Sequence, residues 1–498
     1  MKKIEYYIIV LILFIFASYS AYANNISVSN FSLTGQNAQS HYAMLKFDIS
    51  WENSWRTSSA PNNWDAAWVF IKYRVNGTGE WQHAWLNNTG HINPAGSTIA
   101  TGLLKPDSTF NQTTNPGLGV FIYRDADGTG TFSKTGIQLR WNYGANGVPD
   151  NANIDIRVFA IEQVYVPQGS FYIGSGGNES AAFYKYPDYT SYHITSESPI
   201  PVGAQTDWLY YPLTAYGGDR QGPIPAEYPK GYNAFYCMKY EITQQEYVDF
   251  LNSITQSQAN TRKYNKPATN YRYEITGNTV GNYVTTNPYL ACNYLNWSDI
   301  AAYLDWSGLR AMTELEFEKA ARGPLASVYN EFVWGNSQVA SSMYSISNPG
   351  ANNENISINY STTDGNAVYI NTFGSENGPF RVGIFAGNIL NTGRVSAGAS
   401  YYGIMEMTAN VYERTVSAGN PTGRAYTGLH GNGAIDVNGN ADVLLWPGTN
   451  ALGSGFRGGA WGSSVFYIGT SVRYDAALTV VNRYNDYGGR GVRSAPLP

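Results

Sequence analysis

Four stretches in the first third of the chain alternate apolar and polar residues with period two, and that pattern excludes most fold classes for this region. Leu45, Phe47, Ile49 and Trp51 alternate with Lys46, Asp48 and Ser50. Val69, Ile71, Tyr73 and Val75 repeat the pattern, as do Ile137, Leu139 and Trp141, and then Ile154, Ile156 and Val158. Alternation puts every second side chain on one face of a strand, so these runs predict half-buried antiparallel strands. Clusters of Gly, Asn and Pro separate them and no helical period intervenes. The reading is an all-β immunoglobulin-like sandwich over residues 24–163. Within it, Asp125-Ala126-Asp127-Gly128 has Gly136 where a calcium loop of the EF-hand type would carry Glu, and it lacks flanking helices. A tight hairpin turn is expected there.

Ahead of these strands, Lys2 and Lys3 precede an apolar run from Tyr6 to Phe16, and Ala21-Tyr22-Ala23 forms a small-x-small cleavage pattern. Residues 1–23 therefore read as a secretory signal peptide. The apolar run is shorter than the ~20 residues a membrane span requires, so the mature chain is expected to be exported, to the periplasm, the cell surface or the medium, without a span. Removing two Lys and one Glu with the signal takes the formal net charge from −5 to −6. With that charge and no basic run, nucleic acid and anionic membrane are not expected as partners. Cys237 and Cys292 are the two cysteines. In an exported chain they either pair or lie buried as separate thiols.

The second region, residues 164–498, reads differently. The boundary near residue 163 carries no flexible linker, and residues 178–233, rich in Tyr, Pro, Gly and Ser, read as an ordered insertion lying on this domain. Thr243 and Glu246 form a capping box, followed at helical spacing by Tyr247, Phe250, Leu251 and Ile254. Ser298 is read as the cap of a short helix carrying Ile300, Tyr303 and Leu304, and Thr313 with Glu316 forms a second capping box. Few helices among many short strand candidates predict an α+β domain rich in loops.

Six blocks in this region are shared, in order, with one family. VYVPQGSFYIGS, FYCMKYEITQQEYVDFL, WSDIAAYLDW with RAMTELEFEKAARG, FVWGN, GIMEMTANVYERT, and FRGGAW with GVR resemble the formylglycine-generating enzyme (sulfatase-modifying factor) family. Met312 stands where that family usually has Pro. The resemblance spans roughly two thirds of the chain and implies a C-type-lectin-like fold. The family's oxidases bind copper through a Cys pair, and the matching positions here are Ser463 and Ile468. Neither supplies the soft thiolate that Cu(I) prefers, so no copper is expected. The resemblance also implies a structural calcium ion held by Glu406, Ala409, Val411 and Glu413, with Glu406 one methylene longer than the usual ligand. The alternative for Glu413 is a buried hydrogen-bonding carboxylate.

Fold alone does not carry function. His41, His83, His91, His193 and His430 are scattered without metal-ligand spacing, and Glu314 and Glu316 sit at a helix start, where acidic groups favour the helix dipole. No catalytic constellation is named. Near the C-terminus, Ser463, Tyr467, Arg473, Tyr474, Asp475, Asn482, Tyr484, Asn485 and Tyr487 form a Tyr-, Asn- and Ser-rich stretch between two Gly-containing ends. Tyr gives large contact area at low entropic cost while Asn and Ser adapt their hydrogen bonds, the composition of binding surfaces. The expected function is a non-catalytic binding protein for a protein or carbohydrate ligand. The alternatives are an enzyme of the same family using chemistry other than copper, and a binding protein of the retroelement-diversified kind, whose variable regions also lie at the chain's end.

Overall fold

The computed structural model describes residues 25–496 apart from positions 78, 107, 214 and 215. The signal-peptide reading of residues 1–23 lies outside the described residues. Eight strands come first: β1 (Ser27–Asn37), β2 (Tyr42–Arg56), β3 (Asp65–Val75), β4 (Gln82–His83), β5 (Thr98–Leu103), β6 (Gly117–Tyr123), β7 (Gly128–Trp141) and β8 (Ile154–Val166). Strands β1, β2 and β7 make one antiparallel sheet. Its inner residues Leu45, Phe47, Trp51, Ile137 and Leu139 meet Val69, Ile71, Val120 and Ile122 of a second sheet in one buried cluster. The alternation in the sequence supplies this face.

That second sheet does not stop at the first region. Its order is Arg310–Ala311, Gly491–Ser494, Phe235–Met238, β8, β3, β6, β5, with β4 paired to β3. β8 pairs with β3 from Ile154 to Val164 and with Phe235–Met238 from Gln163 to Val166. Residue 163 thus falls inside a strand that both regions share. Lys239 reaches across this seam to Glu162 (2.9 Å) and Asp65 (3.6 Å), and all three are buried. Asp65 also accepts from Trp51 Nε1 (2.9 Å) and Ser54 Oγ (2.8 Å).

Three sequence expectations need correction. β3 is buried on both faces rather than one: Ala67, Val69 and Ile71 face the first core, while Ala66, Trp68 and Phe70 join a second core containing the helices. The cause is its near-continuous apolar sequence, DAAWVFIKYRV, which suits a strand covered on both sides. The turn at 124–127 is not a hairpin, because β6 and β7 belong to different sheets. Its Asp127 accepts from Ser58 Oγ at 2.7 Å. The third correction concerns Ser298, which lies within the first turn of its helix; the cap is Asn296, whose side chain accepts from Asp299 N.

Five helices occur among the described residues: α1 (Gln244–Leu251), α2 (Gln256–Arg262), α3 (Trp297–Trp306), α4 (Glu314–Arg322) and α5 (Pro421–Arg424). The capping boxes at Thr243 and Thr313 form as read, and a third, Thr255 with Gln258, starts α2. α1 and α3 pack on β3 through Phe250, Tyr303 and Trp306, in a core that also takes Phe183, Ile200, Leu209 and Ile224 from the 178–233 segment. Trp68 Nε1 donates to Ser307 O (2.8 Å), and Lys72 Nζ to Trp306 O (2.7 Å), tying β3 to the end of α3.

Because β3 holds both cores, the two regions are expected to unfold together. Trp68→Ala should cost about 3–5 kcal/mol and keep a single urea transition by far-UV circular dichroism and by fluorescence. Two separated transitions in the parent chain would contradict the shared-sheet account.

Candidate functional site

The C-terminal segment begins with the strand Ser454–Arg457, which pairs with Tyr412–Val416, and ends with Gly491–Ser494 in the large sheet. Between them the chain carries few elements, and buried charges fix its path. Glu314, the first residue of α4, takes Arg473 Nε at 2.6 Å and Nη2 at 3.0 Å, and Arg457 Nη1 at 3.3 Å. Arg457 also donates to Glu318 at 2.8 Å. The Arg473 guanidinium lies 3.8 Å from the Phe183 ring centre and 4.4 Å from that of Tyr211, which brings the 178–233 segment into the same junction. Further along, Arg483 grips Asp299 at the start of α3 with two bonds of 2.6 and 2.7 Å.

These anchors sort the sequence-predicted ligand residues. Arg473 is fully buried, so its expected place on the binding surface is corrected: its charge is used inside, against Glu314. Ser463 is buried too, with its Oγ accepting from Ala460 N (3.0 Å) and its carbonyl from Ile370 N (3.0 Å). Tyr474, Asn482 and Tyr484 are exposed, and Tyr467, Asp475, Asn485 and Tyr487 are half-buried.

The structure brings the four tyrosines among them into two aromatic groups. Tyr474 packs edge-on against Tyr467 (5.3 Å) and Phe466 (6.1 Å), with Tyr216 at 6.2 Å. Tyr487 packs against Tyr484 (5.1 Å), Phe456 (4.4 Å) and Tyr412 (6.0 Å). Tyr412 joins the groups, its hydroxyl donating to Asp475 Oδ2 at 3.4 Å. Burial pushes both Asp475 and Asp486 up to about 6, and the Asp475 charge adds to the shift of Asp486. Beneath them Arg414 lies 3.7 Å from the Phe456 ring centre, and burial pulls its guanidinium down to about 9. Asn485 is held through its carbonyl by Trp461 Nε1 (3.0 Å) and Asn293 Nδ2 (2.9 Å), leaving its side chain for other contacts. Phe466, Tyr412 and Tyr216 were not singled out from sequence. Tyr412 lies inside a matched block and could have been; Tyr216 is far away in the chain and gave no signal.

The positions matching the oxidase thiols hold no thiol. Ile468 is fully buried among Phe317, Phe332 and Met407. Cys237 and Cys292 are separate free thiols, both buried, and burial pushes Cys237 up to about 12 and Cys292 well above its ordinary value.

A second cluster lies at the turn before Tyr412. Glu406 and Ala409 both take left-handed backbone (φ +51° and +67°), and Glu406, Ala409, Val411 and Glu413 are all buried. Glu413 Oε1 accepts from Arg490 Nε at 2.5 Å, and Glu406 Oε1 from Gly383 N at 2.8 Å. The other carboxylate oxygen of each is buried without a partner. Glu241, unremarked in the sequence, accepts from Val411 N (3.0 Å) and Asn410 Nδ2 (2.5 Å). Burial pushes Glu406 up to about 7 and Glu413 upward, and Glu241 is pushed well up by burial and then by the Glu413 charge. No three Asp, Glu, His or Cys side chains converge as a metal cluster among the described residues. A cation here would therefore need backbone carbonyls beside Glu406 and Glu413. Oxygen donors on a tight left-handed turn, two of them orphaned, fit calcium.

Against known proteins, residues 157–495 match the model of the sulfatase-modifying factor enzyme 1-like domain. The chain belongs to that family. The match covers every element of the candidate surface, from the Tyr412–Val416 strand to Gly491–Ser494. Among solved structures, Treponema denticola variable protein 1 is similar to the chain, with 14% identity, a TM-score of 0.34, and coverage of 68% of this chain and 96% of that one. No curated protein matches the sequence.

Glu314 is the group on which the surface rests. Glu314→Ala leaves the buried Arg473 guanidinium without its carboxylate and Arg457 with Glu318 alone, and should cost about 3–5 kcal/mol by chemical denaturation. A loss below 1 kcal/mol would show that the segment is held by other contacts.

Proposed function

We propose that the mature chain is an exported, non-catalytic binding protein. Its sulfatase-modifying-factor-like domain, preceded by an immunoglobulin-like sandwich, contacts a protein or carbohydrate ligand through the Tyr/Asn/Ser-rich C-terminal surface. The observation that carries this reading is the pairing of an open aromatic surface with the filling of the oxidase positions. Tyr467 pairs with Tyr474 and Tyr484 with Tyr487, while Ile468 is packed in the core and the two thiols are buried elsewhere. No helix of the described residues is long and apolar enough to cross a membrane.

In this reading Tyr474 and Tyr484 supply contact area, Asn482 and Asn485 adaptable hydrogen bonds, and Asp475 a carboxylate held by Tyr412. Ser463 and Arg473 act underneath, fixing the loop. A glycan and protein array probed with the mature chain should give a ligand whose binding falls at least about tenfold in the Tyr474→Ala/Tyr484→Ala variant. The same protein should not oxidise a Cys-containing sulfatase peptide with copper and oxygen. Unchanged binding in the variant, or turnover of the peptide, would overturn the reading.

Structural calcium is the second part of the proposal, and the two orphaned oxygens of Glu406 and Glu413 favour it. The ion would supply positive charge to three buried glutamates that share one arginine, Arg490, and would rigidify the turn leading into Tyr412. Calcium is expected to raise the melting temperature of chelator-treated protein, and Glu406→Gln/Glu413→Gln to abolish that rise. A melting temperature indifferent to calcium would leave the cluster as a purely hydrogen-bonded one.

A further inference from the structure

A second, unassigned cleft lies on the face of the shared sheet, away from the C-terminal surface. Its volume is about 570 Å³, within the usual range for small-ligand sites. Its wall is a row of rings drawn from successive strands: Tyr123 at the end of β6, Trp64 just before β3, Tyr165 in β8 and Tyr236 in Phe235–Met238. Trp64 stacks on Tyr165 (4.0 Å, 8° between planes) and on Tyr123 (5.3 Å), and its Nε1 donates to Tyr236 Oη at 3.1 Å. Tyr165 and Tyr236 are register partners. The row therefore crosses from the first region into the second, and neither region could build it alone.

The chemistry of the lining narrows the ligand. Every lining residue is uncharged, in a chain whose formal net charge is −5. The side-chain amides of Gln168 and Asn233 stand exposed at the rim, and neither they nor the Tyr123 and Tyr165 hydroxyls make a protein hydrogen bond among the described residues. The guanidinium nearest the rings, Arg56, is already engaged, 4.6 Å from the Trp64 ring centre, 5.5 Å from that of Tyr123 and donating to Arg124 O at 2.6 Å. Rings together with free amides and phenols match a ligand that presents apolar C–H surface beside many neutral hydroxyls. The carboxylate next to Asn233, that of Glu197, is taken by the backbone N–H groups of Lys230 (2.7 Å) and Asn233 (2.9 Å), so the lining residues themselves offer a charged ligand no counter-charge. We propose that this cleft binds a neutral oligosaccharide, whose C–H face packs against the ring row and whose hydroxyls pair with Gln168, Asn233 and the two phenols. This site is independent of the C-terminal surface.

Residues 495 and 496, Ala and Pro, also line the cleft, so an extended proline-rich peptide is the occupant the test must separate from sugar. The mature chain is titrated calorimetrically with cellotetraose, mannotetraose, chitotetraose and decaproline. At least one tetrasaccharide is expected to bind. The Gln168→Ala/Asn233→Ala variant should weaken that binding about tenfold or more with its melting temperature unchanged, since both residues are exposed. The Tyr474→Ala/Tyr484→Ala variant should bind the sugar as the parent does. The proposal is overturned if no tetrasaccharide binds at millimolar concentration, if binding survives in the Gln168/Asn233 variant, if it is lost in the Tyr474/Tyr484 variant, or if decaproline alone binds.

Discussion

One carboxylate, Glu314, decides where the last part of this chain lies. It is fully buried and takes two buried arginines, Arg457 and Arg473, from the C-terminal segment. A pair removed from water is held tightly because either partner left alone would be an uncompensated buried charge. The capping geometry of α4 fixes Glu314 itself, with Thr313 and Glu316 closing the box and Glu316 gripping Arg310 at 2.6 and 2.8 Å. A loop with little regular structure thus inherits the rigidity of a helix start. Tyr474, next to Arg473, is displayed on the surface because its neighbour is anchored inside.

The same use of sparse charge recurs. Only 13% of residues are charged, yet Arg322, Arg381, Arg414, Arg490 and Arg493 are all buried along with Arg457 and Arg473. Arg490 holds Glu413, Arg483 holds Asp299, and Lys239 holds Glu162 across the seam. Charge in this protein is spent on geometry more than on solubility. This explains why acidic and basic residues in the C-terminal stretch divide so unevenly between surface and interior.

The shared sheet is the other constraint. β8 gives one edge to β3 and the other to Phe235–Met238, so the two regions form one body around a strand buried on both faces. The aromatic cleft and the packing of α3 on Trp68 both follow from that continuity. Period-two alternation located the strands of the first core but could not show that β3 has a second buried face. Its apolar run, AAWVFI, was compatible with either arrangement. Cap chemistry located α1 and α4, being local and stereochemically strict. It misplaced the start of α3 by two residues because Asn296 and Ser298 are both good caps, and the partner three residues on, Asp299, decides between them.

For the candidate surface, the family, the absence of thiols at positions 463 and 468, and the clustering of Tyr and Asn near the end are all legible in the residues alone. Those follow from residue identity and spacing, which are local properties. Whether a given Tyr or Arg faces water was decided only by tertiary structure, because it depends on partners far away in the chain: Glu314 for Arg473, Ala460 for Ser463, Asp299 for Arg483. The same holds for Tyr412, Tyr216 and Glu241, which long-range packing brings beside the predicted residues. A side chain's chemistry is written in the sequence; its exposure is a property of the whole fold.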